Sequence, residues 1–208
     1  AAGKINHDEF VDSIKRGDPM KNESSFVSVD GGNSYALNLI EQIKEMNEGQ
    51  YLYEETKNSP SNFCIGAAGY PEKHFEAMNL NSDLKHLKNK VDAGAEFIVT
   101  QLFFDNNKYF EFVDKCRSVG INVPIIPGLK PITTKRHLSF IPKFFHVNFP
   151  EEFSNELEKC KTNEEVQKVG VEWSIKQARE LIKKEAPVLH FYTMGKGEAV
   201  RKIAAQVF

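Results

Sequence analysis

The sequence predicts an α/β fold, specifically a (β/α)8 TIM-type barrel whose N-terminal strands are missing from the chain. From residue 63 onward, short apolar runs alternate with longer segments of helical period. Parallel neighbouring strands need crossover connections, so this order favours a parallel sheet covered by helices. No strong G-x-G-x-x-G phosphate loop follows a strand, which favours the barrel over a doubly wound, dinucleotide-binding sheet.

The strands and helices follow from the spacing of apolar residues. Four strands are predicted, at Phe63–Tyr70, Glu96–Phe104, Val123–Leu129 and Val188–Met194. An early helix is predicted at Tyr35–Met46, and later helices at Asn81–Ala95, Lys108–Val119, 133–145, 150–160, 162–185 and Gly197–Val207. The polar stretch 50–62 is predicted to be an exposed loop.

Composition limits the classes of partner. The chain has 208 residues, 40% of them apolar, which is enough for one sizeable core. Its 27 basic and 29 acidic side chains nearly balance, so neither nucleic acid nor an anionic membrane is expected as a partner. No signal-like or membrane-spanning run occurs in the sequence, and we expect a cytoplasmic protein.

The carboxyl ends of the predicted strands are the expected place for chemistry. In a barrel these ends carry the functional loops. The rule selects four short segments before any family is considered: Gly69 and Tyr70, Thr100 and Gln101, Gly128 and Leu129, and Tyr192 to Met194. Gln101 is notable because a polar side chain within an apolar strand needs a partner.

An ordered set of motifs then resembles one family, across about residues 16 to 200. The motifs are Arg16-Gly17-Asp18-Pro19, Tyr35-Ala36, Ala68-Gly69-Tyr70-Pro71-Glu72 with His74 and Ala77, Asp83-Leu84-Lys85-His86 with Lys90, Thr100 to Asp105, Ile126-Pro127-Gly128 and His190 to Thr193. Together they are similar to the methylenetetrahydrofolate reductase family.

The resemblance implies an activity and its cofactors. Members of that family hold FAD in a (β/α)8 barrel and take hydride from NADH or NADPH. They pass it to a small-molecule substrate, 5,10-methylenetetrahydrofolate, to give 5-methyltetrahydrofolate. The expected protein is therefore a flavin-dependent oxidoreductase of one-carbon metabolism, and we also expect it to form a homo-oligomer.

The resemblance also implies roles for individual residues. Asp18 matches a catalytic aspartate near the flavin ring, where its charge tunes flavin and folate electrostatics. In the same resemblance, Gln101 and Lys196 match folate-binding positions. An amide suits the pterin ring because it offers a donor and an acceptor, and a cation can pair with the folate carboxylates. Cofactor-binding positions are matched by Arg16, Gly17, Asp18, Tyr35, Ala36, Tyr70, His74, Ala77, Asp83, His86 and Lys90. No metal ligand is expected.

One family feature has no counterpart in the sequence. The proton-donor glutamate, in a Glu-Phe-Phe-Pro-type motif on the first strand, is not found. We hypothesise a chain gap near residues 15–16, within a single partial barrel domain spanning 1–208. Two alternatives remain open, a non-catalytic barrel that keeps the FAD or folate pocket and an unrelated TIM-barrel lyase.

Two histidines are assigned no functional role from the sequence. His190 is interpreted as a structural residue of its strand. His137 is interpreted as a surface or packing residue, although it lies on the helix where relatives contact folate.

Overall fold

A computed structural model of the chain describes residues 32–51 and 59–208. Two compact units divide the chain. The first comprises Ala1–Ala67 and Asn89–Glu96, and the second comprises Ala68–Lys88 and Phe97–Phe208. The predicted gap near residues 15–16 lies outside the described residues, and the single-domain organisation stays a prediction.

The described residues alternate between strands and helices in the predicted order. The strands are β1 (Gly66–Gly69), β2 (Phe97–Leu102), β3 (Ile125–Leu129) and β4 (His190–Phe191). The helices are α1 (Ala36–Asn47), α2 (Leu80–Asp92), α3 (Asn106–Ser118), α4 (Arg136–Phe145), α5 (Glu151–Lys159), α6 (Asn163–Lys183) and α7 (Glu198–Val207). No helix in the described part of the chain is both long and apolar enough to cross a bilayer.

The strands form one sheet in the order β1-β2-β3-β4, and both β2 with β3 and β3 with β4 pair in parallel. The predicted α/β fold with a parallel sheet is therefore confirmed. Four strands do not close a barrel. The eight-stranded barrel stays a prediction.

The last strand is shorter than the sequence predicts. Val188–Met194 contains only two strand residues, His190 and Phe191. Val188 before them is 57% exposed, and the backbone after them turns, with positive φ at Met194 and Gly195. The predicted strand is therefore too long. Its apolar composition suggests a buried strand, but only two of its residues pair in the sheet.

A hydrophobic core of the second unit forms around the residues at and just after the end of β2. Phe104 is 2% exposed and clusters with Ile132, Phe153 and Leu157. Phe153 stacks on Trp173 of α6 at 4.5 Å between ring centroids, and the Trp173 indole N–H donates to the Phe104 carbonyl. These contacts fix α6 against the segment that follows β2.

In the first unit, helix α1 packs through its apolar face. Ile40 is 4% exposed and clusters with Ile65 and Ala95. Tyr35, just before the helix, accepts backbone N–H bonds from its first turn and is 70% exposed.

Three strands are joined at their carboxyl ends by a tight contact centred on Gly128. The Gly128 N–H donates to the Thr100 hydroxyl at 2.9 Å. The Tyr192 hydroxyl donates to the Thr100 carbonyl at 2.8 Å. A Cβ on Gly128 would lie 2.2 Å from the Thr100 carbonyl oxygen and 2.7 Å from the Tyr192 ring. Glycine is therefore required at this position by space, not by its φ angle.

We predict that Gly128→Ala lowers the free energy of unfolding by about 3 kcal/mol, because the added methyl group has no room against a backbone oxygen. Chemical denaturation measures this. Gly197→Ala is the matched control, since a Cβ there meets nothing within 4 Å, and it should change the free energy by less than about 1 kcal/mol. Equal effects of the two substitutions would contradict the tight contact.

Candidate functional site

A cavity of about 830 Å³ opens in the second unit at the carboxyl ends of β2, β3 and β4. Two residues that the sequence predicts to bind folate, Gln101 and Lys196, both line it. Tyr192, Thr193 and Met194, which were selected as strand-end positions, line it as well. Its size suits a ligand of a few hundred daltons.

Gln101 is placed by an irregularity in β2. Val99 pairs with Ile126 and Leu102 pairs with Gly128, so β2 carries one more residue than β3 between these pairs. Such bulges re-aim side chains and are frequent beside active sites. The Gln101 Oε1 accepts the Leu102 N–H at 2.9 Å, which fixes the amide. Its NH2 group has no hydrogen-bond partner among the described residues and is left to donate to a ligand.

Cationic side chains line much of the cavity. Lys130, Arg136 and Lys196 contribute, and the two carboxylates present are those of Glu164 and Glu198. The Glu198 carboxylate pairs with Lys202 at 2.8 Å, so its charge is already largely compensated. Burial lowers the pKa of Lys130 below its ordinary value. The lining therefore suits a ligand with negative charge.

His137 has a defined orientation in this lining. The Thr133 backbone N–H donates to its Nδ1 at 3.2 Å. In neutral histidine the proton then lies on Nε2, which becomes a donor. Burial, together with the charges of Lys130, Lys196 and Arg136, lowers the pKa of His137 and favours this neutral form.

An aromatic wall completes the cavity. Phe140 and Phe144 of α4 stack with ring centroids 5.0 Å apart, and both also contact Phe145. Phe144 is 64% exposed, and the Arg136 guanidinium lies 5.9 Å from the Phe140 ring centre. A planar ligand ring has apolar faces to pack against here.

A second group of predicted residues meets in the loop after β1. The rings of Tyr70 and His74 lie 4.5 Å apart, edge to face. The His74 backbone N–H donates to Asp83 Oδ2 at 2.8 Å, and Ala77 closes the turn by donating to the His74 carbonyl. His86 lies one turn after Asp83 on α2 and is exposed. The structure thus links Tyr70, His74, Ala77 and Asp83 by direct contacts, and His86 follows on the same helix.

The other predicted cofactor residues are distributed differently. Tyr35, Ala36 and Lys90 belong to the first unit. Arg16, Gly17 and Asp18 lie outside the described residues, so their assigned roles stay predictions.

Sequence reasoning missed part of the cavity. Lys130 directly follows β3. It would have been predicted if the functional positions had been taken to include the first residue after each strand. Arg136 and His137 are cavity residues because α4 begins at Arg136 and turns these side chains toward the strand ends. That orientation depends on packing between elements, and no local pattern encodes it.

The fold and the site together define an α/β protein with a ligand cavity at the ends of parallel strands. The family model for methylenetetrahydrofolate reductase matches residues 14–207, so the chain belongs to the methylenetetrahydrofolate reductase family. This membership contradicts the alternative of an unrelated lyase.

Named relatives support this family membership. Methylenetetrahydrofolate reductase 1 of Schizosaccharomyces pombe is 38% identical over 90% of this chain and 29% of that protein. Methylenetetrahydrofolate reductase (NADH) 1 of Arabidopsis thaliana is 36% identical over 86% of this chain and 30% of that protein. The chain thus spans about 30% of the length of these relatives.

One solved structure shares the fold. An uncharacterised protein from Clostridium thermocellum, described as binding two copies of 5-methyl-5,6,7,8-tetrahydrofolic acid, superposes with a TM-score of 0.58. The match covers 99% of this chain and 69% of that one at 19% identity. It supports the α/β architecture.

We predict that His137 makes stability depend on pH on the acidic side. Its pKa in the folded protein lies below its ordinary value of 6.5. As pH falls below about 6.5, the unfolded chain binds a proton that folded His137 does not, so the free energy of unfolding falls. His137→Gln should flatten this fall in denaturation curves measured between pH 7.5 and pH 5.

His190→Gln is the control for this prediction, because His190 is exposed on β4. A pH profile that is unchanged in His137→Gln, or that is flattened as much in the control, would rule out the assignment to His137.

Proposed function

We propose that the protein carries out flavin-dependent reduction of 5,10-methylenetetrahydrofolate to 5-methyltetrahydrofolate with NADH or NADPH as the hydride donor. Family membership supports the reaction. The observation that carries the proposal is that Gln101 and Lys196, which lie 95 positions apart and both match folate-binding positions in the family resemblance, line one cavity. We further propose that the four strands belong to a (β/α)8 barrel, in which this cavity lies on the functional face.

The cavity offers matching chemistry along a folate molecule. The free NH2 of Gln101 lies at the end of β2 and suits a pterin ring, which presents carbonyl and ring-nitrogen acceptors. Phe140 and Phe144 suit the flat aminobenzoyl part. Lys196 and Arg136 supply positive charge for the carboxylates of the tail.

Neither carboxylate in the described cavity lining suits the role of proton donor. Hydrogen bonds from its own backbone N–H and from Thr162 lower the pKa of Glu164, and Lys202 lowers that of Glu198. A general acid at neutral pH needs a raised pKa. These two side chains can therefore help to bind the ligand or form the cavity wall, but they do not serve as proton donors.

The loop after β1 fits the flavin nucleotide. Asp83 bonds the His74 N–H through Oδ2, and its Oδ1 remains for a ribose hydroxyl. Tyr70 and His74 present partly exposed aromatic rings, and exposed His86 follows on the adjacent helix turn. FAD bound there would supply the hydride-transfer chemistry. The cofactor-binding roles of the other matched residues rest on the family resemblance and stay predictions; these residues are Ala77, Tyr35, Ala36, Lys90, Arg16, Gly17 and Asp18.

We predict that the purified intact protein, loaded with FAD, loses its flavin absorbance on anaerobic addition of NADH or NADPH and regains it on addition of 5,10-methylenetetrahydrofolate. The nucleotide that bleaches faster identifies the physiological donor. A protein that binds FAD but shows neither change is a non-catalytic cofactor-binding barrel, and one that binds no FAD contradicts the proposal completely.

Gln101→Leu tests the folate contact separately. We expect the affinity for 5-methyltetrahydrofolate to fall by about tenfold or more, because the ligand loses a hydrogen-bond donor in a partly buried site, while FAD affinity is unchanged. Titration calorimetry measures both constants. Gln206→Leu, at an exposed position on α7, is the control, and equal losses in the two variants would contradict the contact.

A further inference from the structure

Lys73 has an unusual backbone conformation in the loop after β1. Its φ is +87°, a left-handed value that favours glycine over residues with a side chain. Its N–H donates to the Tyr70 carbonyl, which closes a tight turn at this point. Non-glycine residues keep such a conformation where surrounding contacts enforce it, and such positions cluster at ligand-binding sites.

The side chain of Lys73 explains what holds the turn. Its Nζ donates to three carbonyls of the loop that follows, those of His74 at 2.9 Å, Phe75 at 3.4 Å and Ala77 at 2.6 Å. An ammonium group has three N–H donors. All three are thus directed into the loop, and none is left for a phosphate group.

The inward carbonyls determine where the loop N–H groups point. Within a trans peptide the C=O of one residue and the N–H of the next point in opposite directions. Carbonyls of residues 74, 75 and 77 that face the ammonium therefore turn the N–H groups of Phe75, Glu76 and Met78 away from it. The Glu76 N–H is bonded to His74 Nδ1, whereas those of Phe75 and Met78 bond to no described residue.

The outer side of the loop is also fixed. The Glu72 carboxylate accepts from the Asn148 backbone N–H, which lies 3.2 Å from both carboxylate oxygens, and from the Asn148 side-chain Nδ2 at 2.6 Å. Phe75 stacks on His146 at 5.1 Å between ring centroids. Residues on both sides of Lys73 are thus held by contacts with other segments, and the Lys73 ammonium orders the loop between and after them.

From these contacts we propose that Lys73 is a positioning residue for the cofactor loop. Its ammonium binds three carbonyls and so directs the outward N–H groups of Phe75 and Met78 toward the anionic part of the flavin nucleotide. Backbone N–H groups that a loop directs outward are a common way to bind phosphate oxygens. This inference rests on the proposed FAD site, and it assigns to Lys73 no direct contact with the cofactor.

The test compares Lys73→Gly and Lys73→Met with the unsubstituted intact protein. Glycine removes the ammonium and relieves the left-handed φ, while methionine removes the charge and keeps the aliphatic stem. We expect both to weaken FAD binding on the order of tenfold in fluorescence titrations, because bonds to a charged donor are lost. Hydrogen exchange of the His74 and Ala77 amides, measured without FAD, should become faster in both variants.

Chemical rescue separates positioning from general destabilisation. Methylammonium added to Lys73→Gly should restore FAD affinity, since it offers three donors to the same carbonyls, and tetramethylammonium at equal ionic strength should not. Lys85→Met, at an exposed position on α2, is the control for loss of a lysine charge and should bind FAD as the unsubstituted protein does.

Two results would overturn the role of Lys73 without affecting the proposed function. These are FAD affinity in Lys73→Gly within about twofold of the unsubstituted protein, and equal rescue by the two cations. Failure of the unsubstituted protein to bind FAD would instead overturn the proposed function on which the inference rests.

Discussion

The contact of Thr100, Gly128 and Tyr192 is the constraint on which the candidate site depends. It joins the carboxyl ends of β2, β3 and β4 through two hydrogen bonds and leaves no space for a side chain at the central residue. Gln101 is adjacent to Thr100 in the bulged part of β2, and Thr193 follows Tyr192. The positions of the cavity residues Gln101, Tyr192 and Thr193 therefore depend on packing within the protein and not on a ligand.

The walls of the cavity depend on a second close approach. A Cβ on Gly170 of α6 would lie 2.0 Å from the Ile132 carbonyl oxygen, so the helix backbone packs directly on the segment that follows β3. That segment carries Lys130 and Thr133, and Thr133 in turn orients His137. Packing thus influences the protonation of a cavity side chain, because burial and three neighbouring cations lower the pKa of His137 and favour its neutral form.

Much of this arrangement was predictable from residue order. Helix α1 was predicted at Tyr35–Met46 and spans Ala36–Asn47, because a 3.6-residue period repeated over several turns is a strong signal. Gln101 was predictable because an amide in an apolar strand needs a partner. The bulge beside it, the short β4 and the inward orientation of His137 were not predictable, since each depends on contacts between distant segments. The homo-oligomer and the cytoplasmic location stay predictions.

The central claim is that the strand ends form a folate cavity. A crystal structure of the protein with bound 5-methyltetrahydrofolate tests it most directly. We predict ligand density inside the cavity, with the pterin ring within hydrogen-bond distance of the Gln101 amide and the tail carboxylates directed toward Lys196. Density for the folate at another surface, with this cavity filled only by solvent, would contradict the account.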